Sequence, residues 1–208
     1  MFYLGNTLAM YRLTSLIYTK ILLYPFTSYS ILDFSLATPG ITAEQGVFTF
    51  YGSAEINAQP DEVWRVISNF QTYPEWNEYT PSITQTDGAE LTSPPRAEEW
   101  YTLHYKLDTT DNAKAMKMKL ISFDNETKSL SWQGHFMPTF LLRAEKVQKV
   151  TKIEDQDGKG IRTKYEIWET QAGPLAHVVK LTMKSKLQKM NEGIAANLKT
   201  FIERSHNS

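Results

Sequence analysis

Glu169 and Tyr165 sit in the run from Ile161 to Gln171, where Ile161, Thr163, Tyr165, Ile167, Glu169 and Gln171 would share one face of a strand. The two isoleucines mark that face as the inward one, so a carboxyl and a phenol are expected to enter the interior. A carboxyl desolvated by an apolar wall holds its proton to higher pH and exchanges it near neutrality, as dehydration or aldol-type cyclisation requires. The architectural alternative is that Glu169 caps the helix that follows or pairs with a nearby cation. Tyr101 and Tyr105, with Leu103 between them, repeat the pattern on an earlier strand. Their hydroxyls could hold a substrate carbonyl while the rings supply apolar wall, or they are simple core aromatics with one partner each. His135 opens an unusually apolar link, His135-Phe136-Met137-Pro138-Thr139-Phe140, and is the third candidate for proton transfer. Phe136, Met137 and Phe140 suit a mouth that closes over a hydrophobic ligand, the alternative being a plug that packs on the amino-terminal extension.

Composition removes most other chemistries. The 208 residues contain no cysteine, which excludes disulfides, thiol nucleophiles and cysteine-held metals together. The four histidines stand at no metal-binding spacing, so neither a metal nor a cofactor is expected. With 22 basic against 23 acidic side chains the net charge is −1, and no nucleic-acid partner is expected without a basic footprint. A nucleophile–base pair and a phosphate-binding loop are also missing from the sequence.

Those residues must be positioned by a recognisable series of elements. Alternation from Val47 to Ala58 predicts a first strand, and Pro60-Asp61-Glu62 opens a short helix with Val63, Ile67 and Phe70 on one face. Pro74 is expected to push Tyr73 toward extended geometry and so to interrupt that helix. Strands are then predicted near 80–85, 98–107, 115–123, 129–134, 141–153 and 160–171, separated by turn signals such as Asp87-Gly88, Asp124-Asn125 and Asp157-Gly158. Short links imply an antiparallel sheet. From Leu175 to Ile202 apolar residues including Met183, Leu187, Met190 and Leu198 keep helical spacing, which predicts a long carboxy-terminal helix. The sum is an α+β domain whose curved sheet wraps that helix.

The stretch Ala54-Glu-Ile-Asn-Ala-Gln-Pro-Asp-Glu-Val-Trp-Arg-Val-Ile-Ser-Asn-Phe-Gln-Thr-Tyr-Pro-Glu-Trp-Asn77 resembles the opening of the START-like SRPBCC superfamily, in its polyketide cyclase/dehydrase and lipid-transport branch. Leu130-Ser-Trp-Gln-Gly134 and the exit Glu169-Thr-Gln-Ala-Gly-Pro-Leu175 are similar to the same branch, and the resemblance covers residues 47–205. It implies a helix-grip fold with an internal hydrophobic cavity for a small molecule or lipid. Two departures put polar atoms near the cavity end: Gln171 replaces the usual aromatic two places before the glycine, and Glu145-Lys146 stands where a Glu-His pair is often seen.

The expected function is binding of a hydrophobic small molecule, with cofactor-independent cyclisation or dehydration of a polyketide-like or aromatic substrate. Glu169, Tyr165 and His135 are the candidates for catalysis. Tyr101, Leu103, Tyr105, Phe136, Met137, Phe140, Ile167, Met183 and Met190 are the candidates for ligand contact. The alternative is a carrier of lipid or quinone that docks on a membrane through the apolar extension and the band Lys180, Lys184, Lys186 and Lys189. A module whose groove holds a partner's segment is a third. The extension, residues 1–46, carries Leu13, Leu16, Ile17, Ile21 and Tyr24 at the spacing of a short amphipathic helix; its uncharged run from Ile21 to Leu32 is too short to span a bilayer, and the linker 37–46 leads into the domain. The expected location is the cytoplasm, the extension either packing on the domain or fraying, or else attaching it to a membrane, and no feature sets an oligomeric state.

Overall fold

The computed structural model describes residues 35–91, 94–135, 137–153 and 161–206. The patterned helix of the extension, Phe136 and the Asp157-Gly158 turn lie outside them. Seven strands follow in the expected order: β1 (Gly46–Ile56), β2 (Ser82–Gln85), β3 (Trp100–Tyr105), β4 (Lys114–Asp124), β5 (Ser129–Gly134), β6 (Arg143–Ile153) and β7 (Arg162–Ala172). They form one sheet in the order β1-β7-β6-β5-β4-β3-β2, antiparallel throughout. Only the step from β1 to β7 is non-local, and it brings the first strand beside the last.

Helix α1 (Pro60–Ser68) begins with proline in its first turn and Asp61 and Glu62 at the positive end of its dipole, and it buries Val63, Trp64 and Ile67. It stops at Asn69, whose backbone turns extended and whose side chain accepts from Gln71 N to start a 3-10 turn, Phe70–Thr72. The next turn differs from expectation. Tyr73 is helical, at φ −54° and ψ −39°, and Tyr73–Trp76 forms a one-turn helix, α2, with Pro74 in its first turn. A proline there loses no needed N–H, and burial of the Tyr73 and Trp76 rings outweighs the steric bias on the preceding residue.

Helix α3 (Pro174–Ser205) runs 32 residues and buries Ala176, Leu187, Met190, Asn191, Ile194, Ala195, Leu198 and Ile202. It lies along the free edge of β1 and supplies the partners that the edge lacks. Gln188 accepts from Tyr51 N at 3.0 Å and donates to Tyr51 O at 2.7 Å, Lys199 donates to Glu55 O at 2.6 Å, and Glu203 accepts from Asn57 N at 3.0 Å. Such an approach needs a bare backbone opposite: a Cβ at Gly52 would stand 2.2 Å from Asn191 O. Gly173, at φ +93°, makes the turn from β7 into α3 beside Leu141 O.

The register gives each strand an inner and an outer side. Phe48, Phe50, Tyr165, Ile167, Trp132, Leu120, Tyr101 and Leu103 point inward to a core closed by α3, Phe70 and Tyr73. On the outer side residues 36–41 lie against β1, β6 and β7. Leu36 N donates to Thr49 Oγ1 and Leu36 O accepts from Thr170 Oγ1, while Trp168 Nε1 donates to Ala37 O. Thr38 Oγ1 and Gly40 N both donate to the buried Glu145 carboxylate at 2.7 Å.

Candidate functional site

Inward positions on β6 and β7 are Ala144, Lys146, Gln148 and Val150 against Gln171, Glu169, Ile167 and Tyr165, paired in that order. At the level of Glu169 the neighbours across the sheet are Phe50 on β1, Lys146 on β6 and then Trp132 on β5. Lys146 Nζ stands 3.5 Å from Glu169 Oε2, and their side chains retain 14% and 13% of their exposure. An ion pair thus stands between the aromatic rings of Phe50 and Trp132, each charge compensated by the other. The pairing foreseen as the alternative for Glu169 is present, and its cation is Lys146.

Gln171 extends this cluster, since its Nε2 donates to Glu169 Oε1 at 2.9 Å. Its own Oε1 is buried without a partner. Two positions deeper lies a second polar group. Tyr165 donates to Gln148 Oε1 at 2.6 Å, Gln148 Nε2 donates to Tyr73 OH at 3.4 Å, and Tyr73 donates to Ile67 O at 3.1 Å. Burial pushes the Tyr165 phenol well above the ordinary tyrosine range, with Tyr73 adding to it, and burial raises Tyr73 in the same direction. The Tyr165 hydroxyl is therefore neutral and committed to Gln148.

The other expected residues fall into three groups. Ile167, Leu103 and Met190 are buried in the core, with Met137 and Met183 half-buried against it. Tyr101 presents its ring to Phe70 and Trp132, edge-on at 5.7 and 5.6 Å, but its hydroxyl donates to Glu99 and accepts from Arg96 N at the sheet margin. Burial raises this phenol too, with Glu99 adding to it. Tyr105 is half-buried at the end of β3.

His135 and Phe140 stand apart from the ion pair. His135 is exposed and meets Trp100 edge-on at 4.6 Å, and Trp100 neighbours Tyr101 on the strand, so it faces away from the interior. Phe140 is 74% exposed in the β5–β6 link, which is tied to the start of α3 by Leu175 N donating to Leu141 O at 3.0 Å. On that first part of α3, Val178 and Leu181 are 54% and 87% exposed. Among the described residues no three His, Asp or Glu side chains come together to hold a metal ion, and no helix is long and apolar enough to cross a membrane.

Lys146 was legible as a departure from the family pattern but not as the partner of Glu169. The 22 residues between them hide a direct cross-strand pairing that only the β6–β7 register shows.

Residues 47–203 match the family model described as polyketide cyclase/dehydrase and lipid transport. A fungal protein of Penicillium oxalicum, oxopyrrolidines biosynthesis cluster protein O, is 25% identical over 187 residues, which cover 81% of this chain and 93% of that one. Among solved structures, the Zhui aromatase/cyclase from Streptomyces sp. R1128 aligns with a TM-score of 0.56 at 10% identity, over 75% of this chain and 93% of that one. Major latex-like protein 151 of Panax ginseng aligns at 0.54 and 13% identity, over 74% and 95%. At these identities the two structures show a shared fold, the helix grip expected above.

Proposed function

Because the chain belongs to the polyketide cyclase/dehydrase and lipid-transport family, we propose that it takes a hydrophobic small molecule between the inner face of its sheet and α3 and cyclises or dehydrates it without a cofactor. The observation that carries this reading is the Lys146–Glu169 pair, held at 3.5 Å between Phe50 and Trp132. In this reading Glu169 is the catalytic acid–base, and Lys146 holds the reacting oxygen. Tyr165 is a positioning residue, since its proton is spent on Gln148.

The step is balanced by these two groups alone. Glu169 takes a proton from the carbon beside a substrate carbonyl, and the C–H electron pair moves to the carbonyl oxygen, where the Lys146 ammonium faces the developing charge. That carbon then bonds to a second carbonyl carbon, whose oxygen recovers the proton from Glu169. Dehydration repeats the abstraction and returns the proton to the departing hydroxyl, which leaves as water. The walls hold a flexible chain folded so that the reacting carbons meet. The relative from an oxopyrrolidine cluster supports a substrate of that kind, a ring carbonyl compound of secondary metabolism.

The test uses 1-tetralone, a bicyclic ketone, in D2O with deuterium uptake at the carbon beside its carbonyl followed by NMR. Wild-type protein should accelerate uptake over buffer and Glu169→Gln should return it to background, with the tetralone still bound. Equal uptake with both proteins would end the enzymatic reading.

Exposure of Phe140, Val178 and Leu181 beside Lys180 and Lys184 favours a second reading, a carrier that docks this end on an anionic membrane. Mass spectrometry of an organic-solvent extract separates the two. A phospholipid or quinone recovered from the protein supports the carrier, and a ring carbonyl compound supports the cyclase.

A further inference from the structure

Gln171 is 4% exposed and inward-facing, with an amide whose two ends have opposite fates. Its Nε2 donates to Glu169 Oε1, which sets the orientation of the group, because the reverse placement would turn a carbonyl oxygen toward a carboxylate. The carbonyl Oε1 must then point elsewhere, and there it is buried with no donor. A native interior rarely leaves such an acceptor unpaired unless something outside the chain supplies the donor. The neighbouring inward positions are small. Ala144 is the cross-strand partner of Gln171, and Gly134 is the next residue after the Gln133–Glu145 pairing. Little side-chain bulk therefore stands beside Gln171 on the β5 and β6 side, the wall that also carries Lys146.

We propose that Gln171 Oε1 and Lys146 Nζ together read a hydrogen-bond donor and a carbonyl oxygen on one ring of the substrate, so that the site selects a secondary lactam. The lactam N–H would satisfy Gln171 Oε1, and its carbonyl oxygen would face Lys146, which places the carbon beside that carbonyl within the domain of Glu169. Gln171 is in this sense a specificity residue, coupled to the acid–base through its own Nε2. The inference rests on the reading of the inner face as the binding site and adds the class of molecule that it prefers. A carbonyl compound without a donor would bind through Lys146 and the aromatic walls alone, and would leave Gln171 Oε1 unpaired as it is in the free protein.

Trp132 is the cross-strand neighbour of Lys146, so intrinsic fluorescence reports occupancy of this wall. The full chain is titrated with 5-phenyl-2-pyrrolidinone and with its N-methyl derivative, and displacement of 1-anilinonaphthalene-8-sulfonate is followed in parallel. Wild-type protein should bind the N–H lactam about tenfold more tightly than the N-methyl compound, the value of one buried hydrogen bond. Gln171→Met, which keeps the volume and removes the acceptor, should bind both with the weaker affinity. Equal affinities in the wild type, or a preference that survives in Gln171→Met, would overturn the assignment while leaving the binding site in place. If neither lactam changes the fluorescence or displaces the dye, the assignment and the reading of the inner face fall together. The comparison between two ligands on one wild-type protein stands even where a variant folds poorly.

Discussion

Lys146 and Glu169 occupy directly opposed positions of the β6–β7 pair and join their head groups at 3.5 Å on the inner side of the sheet, where Phe50 and Trp132 flank them. The pair is seven-eighths buried and it is the charged feature of an apolar wall. Each member is tolerated there because of the other, which makes them a unit in stability as well as in chemistry.

Removing one partner should therefore cost more than removing both. Lys146→Met or Glu169→Leu alone is expected to lose about 3 kcal/mol of unfolding free energy, by stranding a charge, and the double replacement should recover most of it. Urea denaturation of the four proteins forms a double-mutant cycle, and additive single losses would show the two groups to be independent.

Gly52→Ala should weaken the grip of α3 on the β1 edge. The new methyl group would meet the Asn191 carbonyl oxygen, part of the helix backbone, so the helix must lift rather than a side chain turn aside. A loss of about 1–3 kcal/mol is expected in thermal unfolding, with faster amide exchange at Tyr51, whose N–H is held by Gln188. Unchanged exchange there would refute the coupling of this contact to the edge.

Stability should fall in alkali through Tyr73 and Tyr165. Burial raises both phenols above the value near 10 that an unfolded chain shows, so between the two values the unfolded state has lost protons that the folded state retains. The slope with pH is then negative. The contribution is intact below about pH 10 and is lost as pH rises beyond it, at about 1.4 kcal/mol per unit for each tyrosine. Denaturation midpoints at pH 9 and 11, for wild type and Tyr165→Phe, measure this. The variant should show the shallower decline.

An acid limb should come from Glu166. Burial pushes its carboxyl up, but the hydrogen bonds from Lys164 and Tyr51 outweigh this and hold it below the usual carboxylate range. A depressed value means that the contribution is present above the unfolded value near 4.3 and disappears as pH falls through the folded one. Tyr51→Phe should flatten the loss between about pH 5 and 3 in the same denaturation experiment, and an unaltered profile would count against the Tyr51 contact.

On the outer face, Glu145→Gln should loosen residues 36–41 without touching the inner wall. The carboxylate accepts from Thr38 Oγ1, Gly40 N and Arg143 Nε, so the neutral amide loses charge-assisted bonds and turns one donor toward donors. Hydrogen exchange at Gly40 should rise at least tenfold. Dye binding at the inner face should stay as it is.

All seven strands and the long helix were legible in sequence because their signals are local. Alternation at period two, turn residues between strands and an apolar stripe at period 3.6 are set by near neighbours along the chain. The motif from Ala54 to Asn77 likewise announced the family that residues 47–203 match. The inward direction of Tyr165, Ile167 and Glu169 followed from the same alternation. What the alternation does not carry is the identity of the residue across the sheet. Tyr73 is helical rather than extended because the bias from Pro74 is local while the burial that overrides it is tertiary. Lys146 became the partner of Glu169 only through strand register, the Tyr165 proton was claimed by a glutamine 17 residues away, and Gln171 was left with a free acceptor by its bond to Glu169. His135 meets Trp100 and Phe140 lies exposed in the β5–β6 link, placements that spacing does not carry because a loop's side chains take their direction from packing. The sequence thus determined which elements form and which faces they bury. Tertiary structure decided which polar groups meet, because hydrogen bonds and ion pairs depend on distances of a few ångströms between segments far apart in the chain.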